Sequence, residues 1–96
     1  MRQEELIASF FNGDILLIGK KCGALSISTD YDKDNMILMS YQVKIAEKDL
    51  ELEEITLWGW SNYMTITTSA HYSKVRRFLY DNKIGYTVDN THPEAL

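Results

Sequence analysis

Cysteine is nearly missing from this chain, and its scarcity removes a class of protein. Cys22 stands alone, so no internal disulfide can form and the disulfide scaffold of small secreted domains is excluded. There are two histidines, His71 and His92, and with one cysteine at such long separations they match no metal-ligand spacing. Gly13, Gly19 and Gly23 are too far apart for a phosphate-cradling loop and are not followed by a helix. The longest aliphatic run, Ile15 to Ile18, is much too short to cross a bilayer, and Met1-Arg2-Gln3-Glu4-Glu5 brings acids where a signal peptide wants a basic opening. These lacks point to a cytoplasmic chain with no membrane contact, no metal and no cofactor.

What is present suits an ordinary globular domain, with 45% hydrophobic and 25% charged residues over 96 positions. One domain, 1–96, is expected, with 89–96, which holds the single proline Pro93, as a flexible tail. Net charge is −4, and its distribution is uneven. Asp30, Asp32, Asp34, Glu47, Asp49, Glu51, Glu53 and Glu54 oppose only Lys33, Lys44 and Lys48, whereas Lys74, Arg76, Arg77 and Lys83 oppose Asp81. Such polarity steers encounters with charged partners.

Leu6, Ile7, Phe10 and Phe11 recur on one helical face, Glu4 and Glu5 suit the first turn, and Asn12-Gly13 suits the end. This spacing predicts a helix over Gln3 to Phe11. Asp14 to Lys20 reads as a short strand, Lys21-Cys22-Gly23 as a turn, and Ala24 to Thr29 as a strand with Leu25 and Ile27 inward. The centre of the chain is Met36 to Trp60. Ile37, Met39, Tyr41, Val43 and Ile45 alternate along one extended strand, Glu47-Lys48-Asp49 links it onward, and Ile55-Thr56-Leu57 leads into Trp58-Gly59-Trp60. Tyr63 to Thr68 then reads as a β-branched strand. Ser69 is placed to cap a helix through Asn82 that buries Tyr72, Val75, Phe78 and Leu79, and Ile84 to Val88 reads as a last strand. The class is α+β: a small antiparallel sheet of about five strands, with an N-terminal and a C-terminal helix packed on it.

The segment from Met64 to Asp89, with its Ile84-Gly85-Tyr86 entry into the last strand, resembles the opening strand-helix-strand unit of glutaredoxin-like domains. That family's cysteine pair has no counterpart between Thr68 and Lys74. The resemblance therefore implies a strand-helix-strand and carries no redox chemistry.

Several constellations bear on chemistry. Asp30, Asp32 and Asp34 alternate like the first ligands of a calcium loop, but Asn35 replaces the required glycine and Tyr41 the bidentate glutamate. A solvated hairpin loop is the better reading. Cys22 beside Lys20 and Lys21 has no histidine placed near it by sequence, so it reads as a passive thiol. His71, at a helix start near Ser69 and Tyr72, is the centre of the one enzymatic alternative.

Two interaction features remain. Glu47, Asp49, Glu51 and Glu53 recur every second residue, so an extended backbone would hold them on one face about 7 Å apart. With Glu54 and the aspartates of 30–34, they would suit a basic protein groove, although a charged hairpin end also guards against edge pairing. Trp58, Trp60 and Tyr63 are the aromatic anchors such a surface would use. Small acidic inhibitors of the bacterial immunity-protein and phage anti-defence type are similar in kind, though not in motif. The expected function is therefore a non-enzymatic protein-binding module that blocks a basic nucleic-acid-handling enzyme. The alternative is a nucleic-acid-binding module using Lys74, Arg76 and Arg77, against which the net acidity argues. A homodimer through Ala24 to Thr29 or Tyr63 to Thr68 is a further expectation.

Overall fold

A computed structural model describes residues 2–30, 34–58 and 65–89. The first helix, α1 (Gln3–Phe11), has the predicted bounds and buries Leu6, Ile7, Phe10 and Phe11. It ends in a reciprocal pair of backbone bonds, Gly13 N to Phe10 O and Asp14 N to Ser9 O. This ending requires a left-handed residue, supplied by Gly13 at φ +74°.

The turned chain does not run on into the expected strand. The Asp14 side chain accepts a bond from Leu16 N at 3.1 Å and starts a 3₁₀ turn, Ile15–Leu17, which leaves Ile15 58% and Leu16 81% exposed and buries Leu17. Four consecutive aliphatics give no alternation, so the local cap decides the conformation. Strand β1 is then Lys21–Cys22, where a turn was expected, and β2 is Leu25–Asp30, with Leu25 and Ile27 buried as predicted.

The central stretch is two strands rather than one. β3 (Asn35–Ser40) and β4 (Val43–Asp49) pair with Ser40 opposite Val43, so Tyr41-Gln42 is a two-residue hairpin turn. Tyr41 takes φ +55° there, and its N–H bonds Ala24 O in the neighbouring β1–β2 turn. Pairing shifts between Leu38–Ala46 and Met39–Lys44. The extra residue is Ile45, and this bulge lets Ile45 and Ala46 both reach the core. On β3 the core-facing set is Met36 and Leu38, with Ser40 in phase, not Ile37 and Met39 as the alternation had suggested.

β5 (Ile55–Trp58) pairs antiparallel with β4. The second helix, α2 (Ile66–Asp81), follows, and β6 (Thr87–Asp89) pairs parallel with β5. Among the described residues the sheet thus has six strands in chain order, antiparallel except for the last pair. A strand-helix-strand unit is present, but its first strand is β5. Thr65 is already the N-cap of α2, its hydroxyl accepting from Thr68 N at 3.1 Å, so neither a strand continuing to Thr68 nor a cap at Ser69 forms. Residues 66–68 are β-branched, yet a cap followed by Thr68, His71, Tyr72, Val75 and Leu79 at helical spacing prevails.

Both helices cover the face of the sheet that carries Leu25, Ile27, Met36, Leu38, Ile45, Ala46, Ile55 and Leu57. Phe11 stacks on Phe78 at 5.6 Å between ring centroids and joins the helices to each other. Neither helix is long and apolar enough to cross a membrane.

Candidate functional site

The acidic residues gather at one end of the sheet, although not as a row. Leu50 N donates to Asp34 O at 2.9 Å, which ties the β4–β5 turn to the entry of β3. The Asp49 carboxylate accepts from Glu51 N at 2.9 Å and Leu52 N at 3.0 Å, and Glu53 takes φ +55°. This folded turn breaks the extended geometry that would have aligned Glu47, Asp49, Glu51 and Glu53. Asp34, Glu51, Glu53 and Glu54 are exposed at the tip, with Leu52 standing 64% exposed among them. Glu47 is set back, half-buried, opposite Ile37 and Thr56. The backbone of Asp30 pairs with Asn35 at the end of β2. Asp32, Trp60, Tyr63 and His92 lie outside the described residues.

Ion pairs among the described residues join Lys74 to Glu4 at 3.3 Å and Arg77 to Asp81 at 3.8 Å. None of the tip carboxylates takes part among those residues. The nearby Lys48 is spent on α1, donating to the carbonyl of Phe11. Trp58 is 8% exposed, with the Lys44 ammonium 5.8 Å from its ring centroid. It is a buried part of the sheet and does not offer the anchor expected of it.

The basic residues of α2 divide between two tasks. Lys74 donates to Gln3 Oε1 at 2.6 Å and pairs with Glu4, holding α1 to α2. The same ammonium, together with a backbone hydrogen bond that comes first, keeps Glu4 below the usual carboxylate range. Arg76 and Arg77 remain at the surface with Ser73, Tyr80 and Tyr86, where they line a groove of about 360 Å³.

His71 is buried, and its partners have no mark in the sequence. Its Nδ1 lies 2.7 Å from Ser40 Oγ, its Nε2 lies 3.1 Å from Gln3 Nε2, and Ser40 Oγ lies 3.0 Å from Thr68 Oγ1. The Lys74 ammonium needs an acceptor, so it fixes the Gln3 oxygen outward and the Gln3 amide as donor to His71 Nε2. His71 then carries its proton on Nδ1 and donates it to Ser40. A histidine acting as base toward serine must accept instead, and Ser40 is fully buried, out of reach of a substrate. Burial first, and the Lys74 charge second, lower the His71 pKa. Ser69, the partner expected for His71, is half-buried and its place in the network is taken by Ser40 and Thr68. Cys22 packs, half-buried, against the core.

Among the described residues, no three of His, Cys, Asp and Glu come close enough to hold a metal ion. Comparison with family models, curated proteins and solved structures finds no match to this chain.

Proposed function

We propose that this chain is a protein-binding module whose acidic sheet end docks on a basic surface, in the manner of an inhibitor that fills the nucleic-acid groove of an enzyme. The observation that supports this reading is the Leu50–Asp34 backbone bond. It sets Asp34 beside the turn that carries Asp49, Glu51 and the exposed Leu52. Carboxylates that pair with no cation among the described residues steer a basic partner into place, and a protruding leucine supplies apolar contact. Leu52 therefore takes the part assigned by sequence to Trp58.

Direct nucleic-acid binding has weaker support. Lys74 is committed to Gln3 and Glu4, and Glu53 and Glu54 share Tyr86 with the arginine groove. Carboxylates within a Debye length, about 8–10 Å at ordinary salt, repel phosphates. The His71–Ser40 pair supports a structural role better than an enzymatic one.

The test is capture of a partner with tagged protein at about 0.05 and 0.5 M salt, followed by competition between the captured enzyme's nucleic acid and this chain. Capture of a basic enzyme at low salt, displacement of its nucleic acid, and loss of both on Asp34→Lys with Glu51→Lys support the reading. Unchanged capture by that folded variant sinks it.

A further inference from the structure

Tyr86 stands between two grooves of opposite charge. On the α2 side it joins Arg76, Arg77 and Tyr80 around about 360 Å³. On the sheet side it joins Glu53, Glu54 and Thr87 around about 350 Å³. Apart from Tyr86 the two linings share no residue, so the basic and acidic groups flank a common centre.

We propose that this surface is the interface of a homodimer, in which a two-fold axis near Tyr86 sets Arg76 and Arg77 of each protomer against Glu53 and Glu54 of the other. A two-fold contact is self-complementary: whatever one side presents, the same surface must match after rotation. Positive and negative grooves on opposite sides of one residue meet that condition twice in each dimer. An anionic ligand in the arginine groove would sit beside Glu53 and Glu54. A simply basic protein at the glutamates would meet Arg76 and Arg77. The partner that satisfies both halves carries the same two charges in the same order, and this chain does.

The remaining surface suits the same partner. Tyr80 is 84% exposed and Tyr86 40% exposed, giving contact area near the axis. Among the described residues β6 is the last strand of the sheet, and its Val88 is 47% exposed, which adds apolar contact area. The ion pair Arg77–Asp81, at 3.8 Å with both side chains well exposed, is worth little and does not hold Arg77 back. The edges expected from the sequence are unsuited: β2 has a strand on each side, and Thr65–Thr68 is a helix start. Asp34, Glu51 and Leu52 line neither groove; the dimer draws Glu53 and Glu54 of the acidic tip into its own interface, leaves Asp34, Glu51 and Leu52 for docking, and does not rest on the docking proposal.

Sedimentation velocity on the full chain at about 0.05 and 0.5 M salt tests this. The protein should sediment as a dimer at low salt, with dissociation promoted about tenfold or more at high salt. Glu53→Lys with Glu54→Lys should be monomeric, and so should Arg76→Glu with Arg77→Glu, because each homodimer then opposes like charges. Mixed one to one, the two variants should form a heterodimer, since both contacts are again complementary. Far-UV circular dichroism confirms that each variant is folded. A wild type that stays monomeric at low salt overturns the proposal, as do variants that dimerise like wild type or folded variants that fail to associate on mixing.

Discussion

The Ser40 hydroxyl lies 2.7 Å from His71 Nδ1 and joins the end of β3 to the first turns of α2 across 31 positions of sequence. Both side chains are buried, and the chain of contacts continues through Gln3 to α1. One serine thus helps to position both helices on the sheet. Ser40→Ala leaves the His71 Nδ1–H without its acceptor in a dry site, an unmet donor that costs about 1–3 kcal/mol. The midpoint of thermal unfolding should fall accordingly. Ser40→Thr keeps the oxygen and should lose less, provided its extra methyl fits beside Thr68. Equal stability of Ser40→Ala and wild type would mean that the pair contributes nothing.

Protonation of His71 should loosen the same junction. The neutral ring accepts from Gln3 at Nε2, so an added proton there would meet the amide's own N–H. Burial, then Lys74, holds the folded pKa below the ordinary value of 6.5. Between the folded pKa and 6.5 the unfolded chain binds more protons than the folded one. Stability is therefore full above about 6.5 and declines as pH falls through that window, at most by about 1.4 kcal/mol per pH unit from this group. Unfolding followed at pH 7.5 and 5.5 should show the loss. In His71→Gln the difference between the two pH values should shrink, whatever the variant's overall stability. A slope as steep as wild type in His71→Gln would assign the effect elsewhere.

What could be read from the sequence follows the range of the signal. α1 and the buried stripe of α2 were legible because their contacts repeat every three or four residues, and Leu25 and Ile27 because they alternate. The acidic and basic segments were also visible, but their shapes were not. Alternating carboxylates predict a row only if the backbone stays extended, and Asp49 folds it by capping Glu51 and Leu52. Thr65 to Thr68 carries strand propensity and a helix cap together, and the cap prevails through burial of Thr68 and His71. The Ser40–His71 contact has no local signature, since it exists only after β3 and α2 have met.

The hairpin turn that the alternation concealed supplies the last prediction. Ile37, Met39, Tyr41, Val43 and Ile45 run on as one alternation in sequence although the turn puts Val43 and Ile45 on the opposite face from Ile37 and Met39, and Tyr41-Gln42 has neither glycine nor asparagine to mark it. The chain nevertheless puts Tyr41 at φ +55°, where a side chain meets its own backbone, while Gln42 keeps a negative φ. Positive φ at the first of two turn residues favours glycine there. Tyr41→Gly keeps the N–H that bonds Ala24 O at 2.8 Å and removes a ring that is 57% exposed. It should raise stability by about 0.5–1 kcal/mol. Gln42→Gly, one residue later, relieves no strain and should lower stability by a similar amount, about 0.5–1 kcal/mol. Chemical denaturation of the two variants tests the sign at each position. A loss in Tyr41→Gly as large as that in Gln42→Gly would mean that the tyrosine ring contributes more by packing than its backbone costs in strain.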